Sequence, residues 1–327
     1  MVFAGLAVAD AVYPNARFRG CRTGTTSDRG ASNVEALRAI EVSMTAWMTD
    51  RIEIQDTPLV VDLSPDLGPP VLLLHGIPGW RGTWRAAGQL LAKHHRVVIP
   101  DLAGFGDSDP PRQPMHATGH ATMMFALLDR LGVEDVHLCG FDFGGPIAVS
   151  MCRLQPARIK TLTLLATNTF TDTPIPAPLQ IARVPYLGEA AFRLMMGKLG
   201  LTMMWFAAVK KRRAFPLARY RQVLQFAHGL RSTRQVFVQS LRNLRTLYQP
   251  VQDALASVTA PTLVIWGDSD PFFPVDIGRR TAKAIPGARF LLVRECGHFV
   301  PEEHSDQVAT AITTLIASAT IAGLQAS

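Results

Sequence analysis

Cysteine is scarce in this 327-residue sequence: Cys21, Cys139, Cys152 and Cys296 are the four present, and no two stand in C-x-x-C spacing. That removes the usual sign of a metal site or redox dithiol, and with Cys139 and Cys152 in apolar segments the thiols read as reduced core residues. No run of eighteen or more apolar residues occurs, so no membrane-spanning helix is expected. The first residues, Met1 to Leu6, lack the basic stretch of a secretory leader, which gives a cytoplasmic expectation. Acid is almost missing from one region: from Phe170 to Pro250 thirteen Lys and Arg face only Asp172 and Glu189, in a chain whose formal charge is +7. The densest part, Lys210-Lys211-Arg212-Arg213, follows the apolar stretch Met203-Met204-Trp205-Phe206. Such charge suits an anionic substrate or a membrane surface, but a solvated helix face is the preferred reading, because basic runs are common on surfaces. No nucleic-acid-binding motif accompanies it, so that partner class is set aside.

What is present is an apolar chain, 48% hydrophobic, with ample material for a core. Residues 1–47 carry Gly, Ser, Thr and Arg clusters without periodicity and are expected to form a poorly ordered extension, with Met44 and Met48 as possible natural starts. Beyond them short apolar runs alternate with helical patterns. The runs are Val71-Leu72-Leu73-Leu74, Arg96-Val97-Val98-Ile99, Val136-His137-Leu138-Cys139, Leu162-Thr163-Leu164-Leu165, Leu263-Val264-Ile265-Trp266 and Phe290-Leu291-Leu292-Val293. Continuous apolar strands imply burial on both faces, and the helical patterns fall at 84–92, 117–131, 145–154, 276–284 and 305–316. This predicts an α/β chain with a doubly wound, mostly parallel sheet, its core formed by 48–169 and 251–327. The alternation breaks at 170–250, which is expected to be a helical cap inserted before the penultimate core strand, over the strand ends where ligands bind.

Serine is also missing where it would be most informative. In Gly140-Phe141-Asp142-Phe143-Gly144-Gly145 the G-x-S-x-G pattern of a strained strand-to-helix elbow carries Asp142 instead. A serine there needs a base and attacks carbonyl carbon. A carboxylate is anionic at neutral pH and can displace a leaving group from saturated carbon, forming an alkyl-enzyme ester. Three further pieces end predicted strands. His75-Gly76-Ile77-Pro78-Gly79-Trp80 offers backbone N–H groups for an oxyanion hole shared with Phe143, and His75 itself is expected to hold the loop by hydrogen bonding. Trp266-Gly267-Asp268-Ser269-Asp270-Pro271 supplies an acid, and Gly297-His298-Phe299 a histidine. Nucleophile, acid, histidine is the chain order that this architecture uses.

On these motifs, together with Asp101-Leu102-Ala103-Gly104-Phe105-Gly106-Asp107-Ser108-Asp109, the chain resembles the α/β-hydrolase superfamily from about Leu59 to Ile316. Within it the resemblance is to the aspartate-nucleophile branch of epoxide hydrolases and haloalkane dehalogenases. It implies Asp142 as nucleophile, His298 as the group that activates water, and Asp270 as its carboxylate partner with Asp268 in reserve. It implies no metal and no organic cofactor.

The leaving group separates the two activities. Dehalogenases typically place a Trp after the nucleophile as halide donor, but Phe143 has no N–H in its ring, and Ile77 stands where an Asn often serves. Fluoroacetate dehalogenases resemble G-H-D-R-G-G-R, and here Phe143 and Pro146 replace the arginines. Epoxide hydrolases protonate the ring oxygen from two cap tyrosines. Of only four tyrosines in the chain, Tyr186 and Tyr248 are the expected donors, although Leu241 stands where the second usually lies. The favoured expectation is an epoxide hydrolase acting with water on a small apolar epoxide. The alternatives are a haloalkane dehalogenase using Trp205 on an alkyl halide, and a binding protein without turnover.

Overall fold

A computed structural model describes residues 47–113, 115–175 and 177–326; the expected extension, apart from Trp47, lies outside the described residues, as does Cys21. Strands β1 (Met48–Ile54) and β2 (Thr57–Leu63) form an antiparallel hairpin, and β2 pairs antiparallel with β4 (Arg96–Pro100). The others, β3 (Pro70–Leu74), β5 (Val136–Phe141), β6 (Ile159–Leu165), β7 (Thr262–Gly267) and β8 (Arg289–Val293), continue the sheet in parallel. The order across the 8-stranded sheet is β1-β2-β4-β3-β5-β6-β7-β8.

The period-2 geometry of strands explains why the apolar runs are continuous. Leu72 and Leu74 join one cluster with Leu138, Leu164 and Trp266, while Val71 and Leu73 join the opposite one with Phe141 and Ile265. Helices cover both faces. On the β3 strand's flanks these are α1 (Arg85–Leu91), α2 (Ala117–Arg130) and α3 (Gly144–Leu154); α2 and α3 fill the Leu72 side, and α1 the Leu73 side. Each fully buried aliphatic side chain contributes about 1.5–3 kcal/mol of burial, so the two clusters hold the layers together. Cys139, Cys152 and Cys296 are buried free thiols, and burial pushes each thiol well above its ordinary pKa.

Between β6 and β7 the chain is helical: α4 (Leu187–Met195), α5 (Lys198–Ala208), α6 (Leu217–Tyr220), α7 (Ala227–Arg242) and α8 (Leu244–Ala254). This segment is tied down near its middle. Arg219 reaches Glu302 at 2.8 Å and the Gly82 carbonyl at 3.0 Å. After β7 come α9 (Val275–Ala284), the short α10 (Val300–Glu303) and α11 (Ser305–Ala326).

α11 corrects one expectation. It runs ten residues beyond the predicted end at 316, because Ala, Ser and Thr interrupt the apolar pattern without breaking a helix. It is also long and apolar enough to cross a membrane by length and composition alone. One stripe, Val308, Ile312, Leu315 and Ile316, packs into the sheet, as in the core helix of a globular domain, while Ile321 and Leu324 are exposed.

The motif at 101–109 is structural. Arg81 is buried in a ring of carboxylates: its guanidinium bonds Asp101, Asp62 at 3.0 Å and Asp107 at 2.8 Å, and its N–H donates to Asp101 at 2.6 Å. Burial raises the Asp101 carboxyl to about 6 against the opposing pull of Arg81.

Candidate active site

Asp142 follows β5 directly and has φ 51°, in the left-handed region that non-glycine residues rarely occupy. A residue held there stores about 1–3 kcal/mol, which its surroundings must offset. They do so by hydrogen bonds. The Asp142 N–H donates to the Leu165 carbonyl at 3.1 Å, and its carbonyl accepts from Thr167 Oγ1 at 2.6 Å and the Gly145 N–H at 3.0 Å. The turn also requires Gly144, where a Cβ would lie 2.4 Å from the Leu74 carbonyl oxygen. The outcome is a carboxylate lifted off the sheet into a cavity.

Its two oxygens have different surroundings. Oδ1 accepts the Ile77 N–H at 2.6 Å, whereas Oδ2 lies 3.6 Å from His298 Nε2. The other expected oxyanion donor, Phe143, caps the start of α3, where N–H groups have no carbonyl within the helix. The Phe143 ring lines the cavity and packs edge-on against His120 at 5.7 Å. His75 fixes the loop that carries Ile77: Nδ1 donates to the Gly76 carbonyl at 2.8 Å and Nε2 accepts the Leu102 N–H at 3.0 Å. Burial lowers its pKa to about 4, so it serves as a neutral strut.

His298 Nδ1 bonds Asp270 Oδ2 at 2.9 Å, and Asp270 Oδ1 accepts the N–H groups of Phe272 at 2.8 Å and Phe273 at 3.1 Å. Asp268 instead bonds the Glu295 and Cys296 N–H groups and does not reach the histidine. Phe141, Phe272, Phe273 and Phe299 surround the imidazole at centroid distances of 5.0–5.6 Å and fix its plane. Burial pulls the imidazolium down, but Asp270 and Asp142 outweigh it and hold its pKa up to about 10. At neutral pH His298 is therefore an imidazolium. It becomes a base only when the charge on Asp142 is removed, and an ester on Asp142 removes it.

An Asp142→Asn variant reproduces that loss of charge, so its His298 is expected to titrate at lower pH than the wild-type residue when followed by imidazole NMR. Equal values in the two proteins would break the coupling. Because the folded value of about 10 exceeds the unfolded 6.5, His298 stabilises the fold fully below pH 6.5. That contribution is lost as pH rises towards 10.

The cavity beside Asp142 has a volume of about 110 Å³ and is walled mainly by apolar groups such as Phe192, Met196, Met204, Phe237 and Leu244. Two expected cap residues are not there. Tyr186 is 91% exposed and points to solvent, because its own backbone turns through φ 61° at the head of α4. Trp205 is buried, but its indole N–H donates to the Phe215 carbonyl at 2.8 Å and is unavailable to a halide. Tyr248 does line the cavity, as does Leu241. Burial of its hydroxyl, reinforced by the charge on Asp142, pushes the phenol well above its ordinary pKa, against the opposing pull of Ser240 and Asn168. Asn168 is the residue that the sequence left without a role. It is itself held by the Phe170 backbone and the Thr173 hydroxyl, and its signal was its place just past β6, beside the elbow strand. Tyr220 is also buried near Asp142, its ring against Phe215 and Phe299 and its hydroxyl without a hydrogen-bond partner among the described residues, but it does not line the cavity.

A family model described as alpha/beta hydrolase fold matches residues 69–193 and 202–305. The chain belongs to that family. As an α/β-hydrolase it is 30% identical over 240 residues to a 2-hydroxy-6-oxononadienedioate/2-hydroxy-6-oxononatrienedioate hydrolase of Cupriavidus pinatubonensis, covering 72% of this chain and 82% of the relative. It is 31% identical over 259 residues to a cis-3-alkyl-4-alkyloxetan-2-one decarboxylase of Shewanella oneidensis, covering 75% and 81%. Among solved structures it is similar to the epoxide hydrolase CorEH, with a TM-score of 0.70 and 23% identity over 84% of this chain and 99% of the other. That last likeness is one of fold.

Proposed function

We propose that this α/β-hydrolase is an epoxide hydrolase working through an ester on Asp142. The observation that carries the reading is the division of labour between the two Asp142 oxygens, with Oδ1 on the Ile77 N–H and Oδ2 free towards His298 and the cavity that Tyr248 lines. Oδ2 attacks a ring carbon, the carbon–oxygen bond breaks, and the ring oxygen takes its proton from Tyr248. Oδ1 becomes the ester carbonyl oxygen, already in its donor site. With the Asp142 charge gone, His298 releases its proton to solvent, solvent restores the phenol, and His298 takes a proton from water as that water attacks Cγ. Collapse expels the diol, protonated by His298, and leaves Asp142 as a carboxylic acid with one oxygen from water, whose proton passes to His298 and restores the carboxylate–imidazolium pair. Single turnover in ¹⁸O-water is expected to leave the label in the Asp142 peptide; a label confined to the diol sinks the covalent route.

Tyr248→Phe is expected to slow ring opening by about 10²–10⁴-fold, the usual contribution of a positioned acid. Tyr186→Phe, at a solvent-facing site, is expected to leave it unchanged. Rapid-quench measurement of adduct formation decides both.

A second reading has its own support. The Shewanella oneidensis relative is a decarboxylase of a four-membered lactone. A departing carboxylate needs no proton, which suits a cavity with a single lining phenol. Asp142 would displace the ring oxygen from saturated carbon, and loss of CO₂ would then expel Asp142 and leave an alkene. No water enters Asp142 on this route, so alkene and CO₂ without ¹⁸O incorporation would favour it. The haloalkane reading keeps no indole donor among the residues lining the cavity.

A further inference from the structure

The outer face of the cap presents an unusual surface. Of the thirteen large apolar side chains exposed among the described residues, eight lie between 181 and 206, including Tyr186, Leu194, Leu199, Met203 and Phe206. The pattern in α5 is the clearest. Leu201, Trp205 and Ala208 are buried, while Leu199, Met203 and Phe206 recur at steps of four and three on the opposite face. A helix apolar all round is normally covered on both sides. Here the inner face has its cover and the outer has none among the described residues. Exposed cations rim that outer face: Arg193, Lys198 and the run Lys210-Lys211-Arg212-Arg213. Arg212 sits over the Phe206 ring at 4.9 Å, so cation and ring form one unit. Of the nearby carboxylates, Glu189 is occupied by Arg242 at 2.8 Å, and Glu303 is buried against the backbone N–H groups of Lys210 and Lys211.

We infer that this face docks on an anionic lipid surface, with the α5 side chains in the acyl boundary and the cations among the headgroups. Charge decides the occupant. A second copy of the chain would bring an equally cationic rim against the first, whereas anionic lipid complements it and accepts the apolar side chains. The placement also has a use. Phe192 and Met195 of α4, Met196 just after it and Met204 of α5 line the cavity that holds Asp142, so docking leaves one helix layer between lipid and cavity.

Flotation of the full-length protein with phosphatidylcholine vesicles, with and without phosphatidylglycerol, tests this. Binding is expected only with phosphatidylglycerol and is expected to weaken as salt is raised. Lys210→Gln, Lys211→Gln and Arg213→Gln together are expected to lower partitioning about a hundredfold. Leu199→Ser, Met203→Ser and Phe206→Ser together are expected to abolish it, with thermal unfolding unchanged in both variants. Failure of the wild type to bind phosphatidylglycerol vesicles, or binding of either variant at the wild-type level, overturns the assignment. A wild-type dimer in sedimentation equilibrium that the serine variant loses does so too, as does saturable capture of an acidic protein with no vesicle binding.

Discussion

A His298→Gln enzyme is expected to stop after one turnover with its substrate still attached to Asp142. Gln cannot accept a proton from water, so the ester forms but is not cleared, and hydrolysis falls by about 10⁴-fold. Attack itself does not need the imidazole, because the attacking oxygen is the Oδ2 that Ile77 leaves unbound. Intact-protein mass spectrometry then reads the chemistry directly. An epoxide adds its whole mass, since the ring oxygen stays on the product. An alkyl halide adds its mass less that of HX. A lactone that decarboxylates leaves no lasting adduct, because no water is needed to release it. Asp142→Asn under the same conditions is expected to gain nothing, and an adduct in that variant would remove Asp142 from the reaction.

The second large effect concerns stability. Arg81→Ala is expected to destabilise the fold by about 3–5 kcal/mol, the usual result of removing one partner from a buried ionic group. Asp101 is fully buried and shares the guanidinium with Asp62 and Asp107, so the loss leaves several carboxylates facing one another. Against a total stability of about 5–15 kcal/mol this is a large fraction, and urea unfolding measures it. The defect depends on pH. A carboxyl raised to about 6 binds its proton more tightly in the folded than in the unfolded state, so stability falls as pH rises from its unfolded value of 3.8 through about 6. Without Arg81 the Asp101 carboxyl rises further, and the defect is expected to shrink on acidification. Adding Asp101→Asn is expected to recover part of the loss. A defect that is the same at pH 5 and pH 8 would mean that packing, not charge, is what Arg81 supplies.

Much of the molecule is legible in the sequence because its signals are local. Runs such as Val71-Leu72-Leu73-Leu74 have an apolar residue for each face, and the elbow at Asp142 is written in the residues on either side of it. His298 and Asp270 meet because both end parallel strands on the same edge of the sheet. The cap is less legible, because helix faces there are chosen by tertiary packing. Tyr186 stands at a suitable distance along the chain, yet a single left-handed residue turns it outward. Trp205 carries the right donor, and a carbonyl ten residues away takes it. In α5 the sequence shows apolar residues all round and cannot say which face is covered. The basic run reads as a solvated face, because the sequence does not show which apolar side chains beside it are exposed.

Glu303 gives the cap a fixed pivot. One of its oxygens accepts the Gly297 N–H at 3.1 Å, and the other accepts the N–H groups of Lys210 at 2.7 Å and Lys211 at 2.8 Å. The His298 N–H donates to the Ala208 carbonyl at 2.9 Å, and a Cβ on Gly297 would lie 1.8 Å from that same oxygen. The end of α5 and the loop bearing the histidine are thus one joint. A swing of the cap at this end would drag His298 off Asp142, so the end of α5 has to keep its place for the catalytic pair to persist.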